Sequence, residues 1–192
     1  MILSLFRHNK PNANTAIVDR TFAAIVDAAR QPVLYANWRV PDTPLGRYEC
    51  VSLHMILFLH RTRDRGEAVE ALAQDVLDEF FTDLDHSVRE LGVGDAGVPK
   101  RMKKLGKMFY GRMGPYWEAI DGRDLTTLAE AIDRNMAPSG LRGEVVNIDE
   151  VQLARYSLAM ADHLATLSDE VILSGDLAFV GAQTVGAGDG EA

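Results

Sequence analysis

Between Glu67 and Leu91, Val69, Leu72, Val76, Leu77, Phe80, Leu84, Val88 and Leu91 recur at helical steps, while Glu70, Asp78, Asp85 and Glu90 take the positions between. A 3.6-residue period puts the apolar set on one face and the acids on the other, and no strand can satisfy it. Gly92 and Gly94 close the stretch as helix C-caps do. A helix this long with one apolar face must be covered by other elements, so it sets the architecture around it.

The remaining segments share that period. Ile17, Phe22, Ile25 and Ala29 predict a first helix over 15–30, capped by Asn14 or Thr15. Pro32, Pro41, Pro44 and Gly46 exclude a long helix from 31–46, and Tyr35 and Trp38 make that stretch an ordered loop. Residues 47–61 have few polar positions, the pattern of a helix at the centre of a domain. Pro99 opens a helix over 98–113 with Met102, Leu105, Met108 and Phe109 inward. Gly114 and Pro115 are expected to bend or break it before Tyr116, Trp117 and Ile120. Asp124 caps a further helix reaching Met136, and Asn147 caps the last, over 148–169. No strand pattern is convincing and no repeat of fixed period is present. The predicted fold is all-α: one compact domain of about six helices, 14–175, around a central apolar helix. A loop-like arm, 1–13, precedes it, and a flexible Gly-rich tail, 176–192, follows.

Bulk properties exclude several functions. The net charge of −8 makes the whole molecule a poor polyanion ligand, so DNA is not an expected partner. One cysteine, Cys50, allows neither an intrachain disulfide nor a cysteine zinc cluster. The longest apolar run, Cys50–His60, is about half the roughly 20 residues a membrane helix needs. The expected location is cytoplasmic, with peripheral contact at the inner membrane left open.

Gly92, Gly94 and Gly97 follow a helix rather than a strand, and Pro99-Lys100 stands where a phosphate loop needs Gly-Lys-Ser/Thr. A turn between helices explains those glycines better. Glu79, Asp83 and His86 share a helix face, but a di-iron bundle needs Glu-x-x-His pairs and the chain has none. Cys50 and His54 lie one turn apart, too few ligands for a metal site. Ser52, Ser87 and Ser157 lack a nucleophile-elbow context. Neither an enzyme nor a cofactor is expected. Lys100, Arg101, Lys103, Lys104, Lys107 and Arg112 cluster on one helix and carry the alternative reading, a ribosome- or RNA-docking module over 98–113.

Three segments together resemble the ubiquinol–cytochrome c chaperone family: "PDTPLGRYECVSLHMILFLHRTR" (41–63), "DVLDEFFTDLDHSVRELGVGDAGVPKRMKKLGKMFYGR" (75–112) and the spaced "YWEAI" after it. The resemblance spans about residues 30–170. It implies an all-α, non-enzymatic chaperone that binds newly made cytochrome b during assembly of respiratory complex III. In mitochondrial members it implies association with the ribosome tunnel exit and with a small helical co-chaperone. Without a long presequence the chain is expected to be a bacterial member. The residues expected to meet a partner are Asp83, Asp85, Arg89, Glu90, Lys100, Arg101, Lys103, Lys104, Lys107, Tyr110, Arg112, Tyr116 and Trp117. Charges would orient the partner while neighbouring aromatic and Met side chains supply contact area. Two alternatives stand beside this: that aromatics here are core, Phe109 above all, and that Asp83 and Asp85 pair internally with the basic helix.

Overall fold

The computed structural model describes residues 13–141 and 144–185, and every described element is helical. Six helices are long: α1 (Ala13–Ala29), α3 (Pro44–Thr62), α4 (Glu67–Glu90), α5 (Val98–Asp121), α6 (Leu125–Met136) and α7 (Glu150–Thr166). Three are short: α2 (Pro32–Ala36), α8 (Asp169–Ser174) and α9 (Ala182–Val185). A 3₁₀ turn, Ala137–Ser139, follows α6. Apart from Ala13, the predicted arm lies outside the described residues.

Helix α3 is the axis of the molecule and packs against α1, α4, α5, α6 and α7. Every residue from Ser52 to Phe58 is buried, which a helix tolerates only when covered on all sides. Its start is fixed by Thr43, whose Oγ1 accepts from the Gly46 N–H at 3.0 Å and donates to the Ser139 carbonyl at 2.8 Å. That cap, with Pro44 at the first helical position, starts α3 earlier than the predicted Arg47. The Pro-containing stretch is ordered, as expected, with Trp38 and Val40 buried. It also holds the short helix α2, because Pro32 sits at a position where a helix has no use for an amide N–H.

Helix α4 buries Val69, Leu72, Ala73, Val76, Leu77, Phe80 and Val88. Phe80 joins four helices: its ring lies 6.5 Å from Phe22 of α1, 6.4 Å from Tyr48 of α3 and 5.2 Å from Phe109 of α5. Gly92 follows α4 at φ +81°, a conformation glycine adopts without a Cβ clash. The turn lets α5 fold back against α4.

Further boundaries differ from the sequence expectation. Helix α5 runs unbroken through Pro115 to Asp121. The stretch predicted as one helix over 148–169 is instead α7 and α8, separated at Leu167 and Ser168. Asp149, rather than Asn147, caps α7 by accepting from the Gln152 N–H. Of the segment assigned to a tail, residues 176–185 pack on the body, with Leu177 and Ala182 buried, and 186–192 lie outside the described residues.

Candidate partner-binding surface

The outer face of α5 is set by helical spacing. Lys100, Lys103, Lys104 and Lys107 project from it, followed by Tyr110, Gly111 and Gly114, and all seven are exposed. Arg101 is exposed at its flank. None of these five cations has an ion-pair partner among the described residues. The inner face buries Val98, Leu105, Phe109 and Tyr116. Tyr110 is 56% exposed and stacks on Phe81 of α4, ring centroids 6.0 Å apart.

The acidic residues of α4 do not answer these lysines. Asp85 pairs with Arg89 at 2.6 Å, one turn along its own helix. Arg89 reaches on to Asp95 at 2.6 Å and so ties the end of α4 to the interhelical turn. Asp83 and Glu90 are exposed without an ion pair among the described residues. The alternative in which Asp83 and Asp85 pair with the basic helix finds no ion pair among the described residues, and Arg89 takes up the charge of Asp85 instead.

Three of the thirteen expected partner residues lie wholly or partly inside the packed body. Tyr116 is 1% exposed and belongs to the core, as Phe109 does. Arg112 is buried on the inner face and donates from Nη2 to Glu49 Oε1 of α3 at 2.6 Å. Trp117 is half-buried; its Nε1–H donates to the Ile56 carbonyl at 3.1 Å, and the Arg63 guanidinium lies 5.2 Å above its ring. Side chains held in this way have little left to offer a partner. The sequence showed residue types around Gly114–Pro115 but not that an unbroken helix would turn Arg112 and Tyr116 inward.

Two buried polar groups lie in α3, one that the sequence reading missed and one, Cys50 with His54, whose surroundings it could not show. Glu49 sits in the apolar stretch of α3, and burial pushes its carboxyl up to about 7, against the opposing pull of Arg112. Its Oε2 and the Arg112 Nε have no hydrogen-bond partner among the described residues. The only signal in the sequence was a lone acid inside an apolar helix. The second group is centred on His54, fully buried, whose Nδ1–H donates to the Cys50 carbonyl and whose Nε2 accepts from the Tyr156 hydroxyl, both at 2.8 Å. Burial lowers the imidazole to about 4 and raises the Cys50 thiol to about 12. Both nitrogens of His54 are thus occupied by protein, and Cys50 is a protonated core thiol. No group of three or more His, Cys, Asp or Glu arranged to hold a metal occurs among the described residues.

The described residues form a helical scaffold whose α5 face presents exposed cations beside the exposed ring of Tyr110. The chain belongs to the ubiquinol–cytochrome c chaperone family, whose profile matches residues 36–179. It is also similar to the crystal structure of the Cbp3 homologue from Brucella abortus: 50% identity, TM-score 0.80, covering 95% of this chain and 98% of that one. No curated protein matches the chain. No described helix is long and apolar enough to cross a membrane.

Proposed function

We propose that the protein is a non-enzymatic assembly chaperone that holds newly made cytochrome b during biogenesis of the ubiquinol–cytochrome c reductase complex, working on the cytoplasmic side of the inner membrane. Family membership supports the assembly role. The observation that carries the docking surface is the outer face of α5, where four lysines without ion-pair partners among the described residues run into the exposed ring of Tyr110. Unpaired charge steers an encounter, and an adjacent aromatic supplies desolvated contact area. Asp83 and Glu90 extend the surface across α4.

The test is a photo-crosslinker placed at Tyr110 in respiring cells, followed by capture of the chain. Cytochrome b is expected among the adducts. If it and the other subunits of the complex are absent, the reading fails.

The same lysines favour one second reading, docking on ribosomal RNA. It predicts cosedimentation with ribosomes that weakens steeply with salt and is lost when Lys100, Arg101, Lys103 and Lys104 are neutralised. Sedimentation unaffected by that change removes it.

A further inference from the structure

Helix α4 turns two unlike steps of surface outward. The first is acidic: Asp75 and Asp78 are exposed and Glu79 is half-buried, all within about one turn. Asn14 Nδ2–H donates to Asp75 Oδ2 at 2.7 Å, and Gln74 Nε2–H donates to Asp78 Oδ1 at 2.7 Å. No cation pairs with any of the three acids among the described residues. The second step is aromatic. Phe81 is half-buried and stacks on Tyr110 of α5, whose ring is 56% exposed. The two steps adjoin, since the charge of Asp78 reinforces the rise that burial gives the Tyr110 phenol. Gly111, beside Tyr110, is exposed, and a Cβ there would meet nothing within 4 Å, so the ring stands at open surface.

The Asn14–Asp75 bond also fixes where the chain before α1 leaves the body, which is at the acidic step. That stretch, MILSLFRHNKPN, contains no acid, although the whole chain is net −8. Taken backwards from Ala13, it carries Lys10, His8 and Arg7, then Phe6, Leu5, Leu3, Ile2 and Met1. The surface leading away from Asn14 carries Asp75, Asp78 and Glu79, then Phe81 with Tyr110. Cations followed by apolar side chains on the arm thus match acids followed by aromatics on the body, in the same order. The length suffices: the chain from Arg7 to Ala13 spans up to about 20 Å, against about 9 Å of helix between Asp75 and Phe81. The tether puts the arm at an effective concentration on the order of millimolar, so weak ion pairs and a modest apolar contact are enough to seat it.

We propose that residues 1–12 lie across α4 as an internal cover, with Arg7 and Lys10 on Asp75 and Asp78 and Met1–Phe6 over the Phe81–Tyr110 ring pair. The uncharged end of the arm then borders Lys107, and the lysines of α5 stay open. The cover itself needs no client. Its bearing on docking rests on the reading of α5 as the docking face: a client meets Tyr110 only in competition with the arm.

The test uses the full purified chain alone, with Tyr110→p-benzoylphenylalanine as photo-crosslinker and mass spectrometry of the digested product. Adducts to residues 1–6 are expected, with a yield independent of protein concentration. No adduct within 1–12 overturns the cover. So does a yield that rises with concentration, because a second copy then supplies the segment. Arg7→Glu with Lys10→Glu should cut the internal yield about fivefold, the effect of two exposed ion pairs. Adding Asp75→Lys with Asp78→Lys should restore it, and a yield that the first change leaves intact, or the second fails to recover, overturns the pairing. The first measurement involves no charge variant and so decides even if the swap misfolds. In respiring cells the charge-reversed arm should raise the yield of client adducts from position 110, and an equal yield from parent and variant overturns the competition. Loss of client adducts from both, with the internal adduct intact, counts against the docking face and leaves the cover standing.

Discussion

At the residue scale, the Glu49–Arg112 pair controls more than its one hydrogen bond suggests. Both groups are buried, and a buried pair broken on one side leaves an uncompensated charge worth about 3–5 kcal/mol. Glu49→Ala is expected to cost that much in a denaturant titration. Glu49→Leu with Arg112→Met should recover most of it, because two apolar groups of similar volume strand no charge; a double variant as unstable as Glu49→Ala refutes the account. The pair also sets a pH response. A carboxyl raised to about 7 binds its proton more tightly in the folded state, so its contribution to stability falls as pH rises from about 4.5 to 7 and is flat above. Glu79, raised by its own burial and by Asp19 and Asp83, adds a contribution of the same sign. His54, lowered to about 4, works in the opposite sense: its folded state resists protonation, so stability rises with pH from about 4 to 6.5. The two largely offset each other between pH 4.5 and 6.5, where the unmodified protein should show a nearly flat thermal midpoint. Glu49→Gln removes one of them and should leave a midpoint that falls on acidification through 6.5. An unchanged profile would show that Glu49 does not titrate in this window. Asp42, Asp121, Asp124 and Asp169 are held below the usual carboxylate range by hydrogen bonds, so their effect is lost only in stronger acid.

At the element scale, α5 shows which local rules the fold obeys and which it overrides. A proline inside a helix removes one backbone hydrogen bond and crowds the preceding turn, which is why the sequence predicts a break at Gly114–Pro115. The helix nevertheless continues, because its last turns carry Tyr116, Ala119 and Ile120 into the core. Gly114 eases the passage, since the residue before a proline clashes through its Cβ and glycine has none. Gly111 has no such duty: a Cβ there would meet nothing within 4 Å. Gly111→Ala should therefore raise stability by about 1 kcal/mol, the ordinary glycine penalty in a helix interior. Gly114→Ala should give no comparable gain. Equal gains in chemical denaturation would show that the pre-proline position carries no constraint. The same contrast explains what was legible in the sequence. The six long helices follow from apolar spacing and from caps such as Asp124, whose carboxylate accepts from the Thr127 N–H at 2.9 Å. The all-α fold and the lysine face follow as well, because both depend on period alone. Glu49 meeting Arg112, and Tyr116 turning inward, depend on how α5 is rotated against α3, which no local pattern encodes. Residues 177–182 carry no legible signal of their packing: the stretch is too short for any period, and its hydrogen bonds come from Gln31 and His163, far away in sequence.

At the scale of the whole molecule, charge is distributed against its own average. The chain is net −8, yet Lys100, Arg101, Lys103, Lys104 and Lys107 crowd one helix with no acid pairing them among the described residues. An acidic body repels polyanions at long range, while one local cationic face attracts a complementary patch that approaches in the right orientation, which gives selectivity in encounter rather than bulk affinity. Stability and binding should therefore separate in a variant with Lys100, Lys103, Lys104 and Lys107 all changed to Gln. These side chains hold nothing in the fold, and exposed substitutions of this kind each change stability by no more than about 0.5 kcal/mol. Four more units of net negative charge would add only screened repulsion, so the thermal midpoint should stay nearly constant at physiological salt. Capture of the client should slow instead, with a reduced association rate and little remaining salt dependence, while the dissociation rate changes far less. Stopped-flow association between 50 and about 300 mM salt reads both quantities, the range being chosen to span a twofold or greater change in screening length. A variant that associates as fast as its parent, with the same salt slope, would remove the α5 face from the docking surface.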